Sequence, residues 1–174
     1  MSSPLLGAMW QVGFVVDDLE DSIRQWSRQC DIGEWHIYTY GPDTVPYLRF
    51  NGKKSKLSYR LALSQSLVPQ MEFIQPLDGP SAFDPWIKTH GPGLHHIAYK
   101  VDSLGDAIKS MGEMGHRPFQ VGMNYGLNGD GGYAYYDLRL TLRTYIELVE
   151  LPSVRRPPEL ILTGKEASAY RTTD

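Results

Sequence analysis

Residues 11–26 read QVGFVVDDLEDSIRQW, and residues 96–111 read HIAYKVDSLGDAIKSM. At an offset of 85 the two stretches share five identities: Val16 with Val101, Asp17 with Asp102, Leu19 with Leu104, Asp21 with Asp106, and Ile23 with Ile108. Val12 and Ile97, Phe14 and Tyr99, and Arg24 and Lys109 are conservative matches. Each stretch opens with a short apolar run, passes an aspartate able to cap a helix, and continues with apolar residues at helical spacing. Leu19, Ile23 and Trp26 form that stripe in the first copy, and Leu104, Ile108 and Met111 in the second. Both copies read as strand, tight turn and amphipathic helix.

A second pairing extends the repeat. QMEFI, residues 70–74, matches YIELV, residues 145–149, at an offset of 75, and each run carries a central glutamate, Glu72 or Glu147. The shorter offset means that the first copy holds ten more residues between its first and last strands. The Pro-, Gly- and Lys-containing stretch from Gly41 to Lys56 is the expected place, read as a loop with a solvated tip at Lys53, Lys54 and Lys56. Two further strands are expected in each copy, at 35–40 and 56–64 and at 118–123 and 133–138. The fold class is α+β: two tandem βαβββ modules whose strands form a cupped, mixed or antiparallel sheet. The first module spans 8–78 and the second 94–151. Between them, 79–93 is a linker whose segment Ser81–Thr89 suits a short helix started by Ser81; 152–174 is an extension outside the repeat.

Composition narrows the classes of function. The chain has 174 residues, 41% hydrophobic and 21% charged, with a net charge of −3, which disfavours a nucleic-acid partner. Its one cysteine, Cys30, excludes an internal disulfide and a thiolate-rich zinc site. No apolar run approaches the ~20 residues of a membrane span, and the start MSSPLLGAMW lacks a signal-peptide pattern. A soluble cytoplasmic protein acting on a small molecule is expected, with a homodimer possible.

Strand alternation then singles out four positions. Gln11, Gly13 and Val15 share one face of the first strand, as His96, Ala98 and Lys100 do in the second copy. A polar residue leads each face and a small one follows, leaving room for a ligand. With Glu72 and Glu147 in the last strands, oxygen and imidazole donors stand at two pairs of equivalent places. Each residue alone reads more readily as a polar group on the wet face of an open sheet. Together, Gln11, Glu72, His96 and Glu147 suit one divalent ion. His95 competes with His96, but His96 is the counterpart of Gln11.

With these residues the pattern resembles the vicinal oxygen chelate superfamily, which includes glyoxalase I, methylmalonyl-CoA epimerase, extradiol dioxygenases and bleomycin-resistance proteins. VVDDLEDSI and GLHHIAYKVDSL look most like the epimerase branch. The resemblance implies paired βαβββ modules around one metal, with ligands from the first and last strand of each module. The set Gln11, Glu72, His96, Glu147 is instead similar to that of one form of glyoxalase I. A second glutamate used by the epimerases has no match, because Glu34 stands too early in EWHIYTY.

The ligand types suit Co²⁺, Ni²⁺, Mn²⁺, Zn²⁺ or Mg²⁺. Such an ion would stabilise an enediolate while Glu72 and Glu147, flanking a carbon beside a carbonyl, act as bases. The expected function is therefore a metal-dependent isomerase, epimerase or lyase of a small oxygenated metabolite or thioester. The alternatives are glyoxalase I-type activity (lactoylglutathione lyase) and a non-catalytic binding or resistance protein. Iron dioxygenase chemistry is disfavoured, because Gln11 stands where a second histidine is needed.

Overall fold

The computed structural model describes residues 6–171; the reading of the first five residues as part of a leaderless start lies outside them. The first module begins with β1 (Met9–Val15) and α1 (Leu19–Cys30). It continues through β2 (Glu34–Tyr40), β3 (Tyr47–Phe50), β4 (Lys53–Lys54), β5 (Ser58–Ser64) and β6 (Gln70–Asp78). After α2 (Phe83–His90) come β7 (Gly93–Lys100), α3 (Leu104–Glu113), β8 (Gln120–Met123), β9 (Gly132–Asp137), α4 (Arg139–Leu142) and β10 (Tyr145–Glu150). The tail adds β11 (Leu160–Thr163) and α5 (Gly164–Ala169). The fold is mixed α+β with one large mixed sheet, as expected. Among the described residues no helix is long and apolar enough to cross a membrane.

The helices start one residue later than the paired aspartates suggest. Asp18 caps α1, its Oδ1 accepting from Asp21 N at 2.7 Å, and Ser103 caps α3, its Oγ accepting from Asp106 N at 3.2 Å. Asp17 and Asp102 belong to the preceding turns because the residue beside the first helical turn, in extended geometry, is the one whose side chain reaches the free N–H groups. Leu19 and Ile23 are fully buried under β1, β5 and β6, and Leu104 and Met111 under the second module. Each such side chain contributes roughly 1.5–3 kcal/mol by leaving water.

The eleven strands follow the order β11-β2-β5-β6-β1-β7-β10-β9-β8-β3-β4. The stretch expected as a loop within the first module is thus a hairpin that leaves that module: Tyr47–Phe50 pairs antiparallel with Gln120–Met123 of the second. Lys53 and Lys54 form its exposed edge. The crossing dictates the curvature. Eight strand spacings separate β2 from β3 in the sheet order, or ~38 Å if flat. Yet seven residues of chain join Tyr40 to Tyr47, spanning at most ~25 Å when extended. The sheet must curl into a cup for the chain to close.

The helices α1 and α3 cover the outside of the cup, and an aromatic cluster lines its inside. Helix α2 inserts Phe83 into that inner cluster, with Ser81 Oγ accepting from Phe83 N at 3.1 Å. The extension also takes up structure. Strand β11 adds to β2, opposing Leu160 to Ile37, and α5 packs Ala167 against the α1 side, with Arg28 Nε donating to Ser168 O at 2.7 Å.

Candidate metal centre and its cleft

Four central strands carry the four residues singled out by the repeat. In the parallel pair β1·β6, Gln11 stands beside Gln70 and Gly13 beside Glu72. In the parallel pair β7·β10, His96 stands beside Tyr145 and Ala98 beside Glu147. Positions related by the offsets of 85 and 75 therefore occupy the same register in both halves. Across the central antiparallel pair, Gln11 opposes Ala98 and Gly13 opposes His96, as a local two-fold axis between β1 and β7 requires.

The register converges on one point. His96 Nε2 lies 3.1 Å from Glu72 Oε2 and 3.1 Å from Glu147 Oε2. Ligand atoms of these three residues all lie within 4.8 Å of one another. None stands on a wet face: His96 is 0% exposed, Glu147 4% and Glu72 7%. Despite the short separations, none of the three facing atoms has an aligned hydrogen-bond partner. Buried polar atoms without partners are costly. A cation at their common focus would satisfy all three, and two carboxylates with an imidazole are a fitting donor set for a divalent ion.

Gln11 sits at the edge of this group. Its Nε2 is 2.9 Å from Gln70 Oε1 and 3.4 Å from Glu72 Oε1. Both partners are acceptors, so the amide nitrogen faces the group here; ligation through the oxygen would require the amide to turn over and give up its bond to Gln70. Gly13 makes the arrangement sterically possible, because a β-carbon there would fall within the His96 ring.

Electrostatics favour a cation at this point. Burial opposes a charge on His96, but Glu147 and Glu72 outweigh it and raise the imidazole pKa to about 9. Burial pushes the Glu147 carboxyl up, with His96 opposing. Without a metal the group thus holds a proton among its donors, the place a divalent ion takes when it binds.

His95 does not go to the opposite face as simple alternation implies. The pairing shifts after Gly13, so that His96 opposes Gly13 while Leu94 opposes Phe14, leaving His95 as the extra residue of a bulge. Bulges re-aim side chains. Here the His95 ring packs among Phe83, Trp86 and Tyr145, with its Nδ1 3.1 Å from His96 Nδ1. Burial, then the neighbouring His96, hold its pKa well below the usual imidazole value. A neutral His95 accepting from His96 Nδ1–H leaves His96 Nε2 facing the carboxylates, the tautomer that a metal-ligating histidine needs.

Beside the group opens a narrow cleft with about 40 Å³ of free interior space, lined by Gln11, Glu72, Glu147 and a wall of tyrosines. Tyr59 and Tyr133 bring their hydroxyls within 3.3 Å of each other. Burial holds the phenols of Tyr59, Tyr133 and Tyr135 well above their ordinary pKa, so they are neutral hydrogen-bonding groups. Arg155 also reaches the cleft, from the extension that the repeat leaves unexplained. Nothing local in SVRRPPEL distinguishes it from a surface arginine. Glu34 pairs with His36 at 2.7 Å and is absent from the cleft wall.

Residues 10–136 match the family described as the Glyoxalase/Bleomycin resistance protein/Dioxygenase superfamily, and the chain belongs to that superfamily. Its fold is similar to that of methylmalonyl-CoA epimerase from Mycobacterium tuberculosis, with 18% identity, a TM-score of 0.59, and coverage of 88% of this chain and 93% of that one. A Streptomyces coelicolor methylmalonyl-CoA epimerase in complex with 2-nitronate-propionyl-CoA aligns at 14% identity and TM-score 0.61, covering 87% of this chain and 99% of that one. A hypothetical protein from Bacillus halodurans C-125 aligns at 18% identity and TM-score 0.56, covering 86% and 97%. At these identities the likeness establishes the fold. No curated protein matches by sequence.

Proposed function

We propose that this protein is a metal-dependent epimerase or isomerase that moves a proton on a carbon next to a carbonyl. The observation that carries the reading is the pair of carboxylates, Glu72 and Glu147, brought from symmetry-related strands to 3.1 Å on either contact with His96 at the floor of the cleft. Glu72, His96 and Glu147, with the Gln11 amide oxygen, would hold the ion. A divalent ion bound there supplies Lewis-acid stabilisation of the charge that grows on a carbonyl oxygen as the neighbouring carbon loses its proton.

The remaining work falls to the chain's own groups. Glu72 and Glu147 approach the cleft from opposite sides of the β1–β7 axis, so one can take a proton and the other return it to the opposite face. General-base catalysis of this kind contributes ~10²–10⁴-fold. Burial favours the neutral form of Glu147, which makes it a better proton acceptor than a solvated carboxylate. The tyrosine wall excludes water and offers neutral hydroxyls to substrate oxygens. Two neighbouring structures support an acyl-CoA thioester as the first candidate, since they hold 2-nitronate-propionyl-CoA and methylmalonyl-CoA.

The test is isotopic. Protein loaded with Co²⁺ and incubated in D₂O with methylmalonyl-CoA, or with a glutathione hemithioacetal for glyoxalase I-type activity, should place deuterium on the carbon beside the carbonyl. A ligand that binds in the cleft yet exchanges no proton would replace this reading with sequestration, for which the tyrosine-lined cleft is equally suited.

A further inference from the structure

Arg155 is fixed in place by contacts on both sides of it. Ser153 N donates to Asp130 Oδ2 at 2.7 Å, Leu127 N donates to Val154 O at 2.9 Å, and Arg156 Nε donates to Tyr125 O at 3.2 Å. Gly131, at φ +74°, permits this docking, since a β-carbon there would press on Pro152 at 2.9 Å. The guanidinium carbon lies 5.6 Å from the Tyr125 ring centroid and 5.9 Å from that of Tyr38. Two aromatic faces thus hold the group as cation–π partners.

What it lacks is an anion. Among the described residues no carboxylate lies within ion-pair distance of Arg155, although it lines the cleft. Tyr40, on the same wall, turns its buried hydroxyl to the Arg155 guanidinium, and its own O–H finds no acceptor in the protein. A guanidinium is always charged and presents a planar fork of N–H donors. A half-buried charge with no counter-ion is costly, and that cost is relieved when a ligand brings an oxyanion. A carboxylate matches the fork in a bidentate manner, and a phenol O–H adds a third donor.

We propose that Arg155 and Tyr40 form an anion subsite, and that the molecule processed in this cleft carries a free carboxylate. The assignment rests on the cleft being the substrate site and narrows its substrate to a carboxylic acid. It also gives the extension a role: residues 152–156 deliver the specificity group to a cup that the two modules build.

The test uses the full chain, stripped of metal and separately loaded with Co²⁺, titrated with succinate, succinamide and inorganic phosphate. Calorimetry gives the affinities, and the Arg155 Nε–H resonance reports contact directly. Succinate should bind on the order of tenfold or more tightly than succinamide, as one charge-assisted pair predicts, and should shift the Arg155 Nε–H signal. Arg155→Met should erase the preference, Arg155→Lys should keep part of it, and Tyr40→Phe should weaken it, all with Co²⁺ uptake retained.

A preference that survives Arg155→Met, or an Nε–H signal unmoved by succinate in the unaltered protein, would overturn the proposal. Phosphate binding more tightly than succinate through Arg155 would overturn the carboxylate assignment. If the protein takes up no Co²⁺ but keeps an Arg155-dependent preference, the metal-dependent reading fails and the anion subsite stands. Normal Co²⁺ uptake with no preference is the reverse.

Discussion

Gly13 and His96 face each other across the β1–β7 junction, and the imidazole occupies the space that any β-carbon at position 13 would need. The ring is turned toward Glu72 and Glu147 because its neighbour has no side chain. Gly13→Ala should therefore displace the ring and weaken Co²⁺ binding by ~10–100-fold, the range for residues that orient a ligand. Overpacking of this kind also costs roughly 1–3 kcal/mol of stability. Metal titration and denaturant unfolding of the variant check both effects, and unchanged Co²⁺ affinity would mean that His96 is not a ligand.

Glu147→Ala and His96→Ala should each lower the metal content measured by elemental analysis well below one ion per chain, since both remove the donor atom outright. His96→Ala should also destabilise the metal-free protein, by an amount approaching the ~3–5 kcal/mol of a broken buried ion pair. The reason is that Glu72 and Glu147 then face each other without a cation. Full metal occupancy in either variant removes that residue from the ligand set.

Glu72→Gln separates ligation from proton transfer. An amide oxygen can still coordinate, so metal should remain, while deuterium exchange should slow by ~10²-fold or more if Glu72 is a base. Unslowed exchange would assign the base to Glu147.

Alkaline pH should unfold this protein before its inner phenols ionise. Tyr59, Tyr133 and Tyr135 have folded pKa values raised by burial above the ordinary 10.0. The fold holds these protons longer than the unfolded chain does. Their contribution is whole below pH 10 and is lost as pH climbs above it. Absorbance titration should show these three titrating together with loss of structure, and early, independent ionisation would contradict their burial.

Leu48→Ala tests the strand that crosses between modules. Leu48 is 3% exposed in the inner cluster, and its strand pairs with the second module. The substitution should cost about 2–5 kcal/mol, measured by chemical denaturation. A cost near zero would mean that the hairpin rests on the cup without joining its core.

The repeat, the helical stripes and the pairing of Gln11 with His96 and of Glu72 with Glu147 were legible in the chain itself. Each depends on local periodicity, and a duplicated unit repeats its register, so equal spacing in sequence becomes equal position on strands. The bulge at His95, the transfer of Tyr47–Phe50 to the other module, and the delivery of Arg155 from the extension were decided by tertiary structure alone. Strand alternation has no term for an extra residue in a ladder, and a β-edge accepts any strand of fitting shape through backbone hydrogen bonds that leave no mark on side-chain identity. Sequence determined which residues could meet at the centre of the cup; curvature and long-range pairing decided what would stand around them.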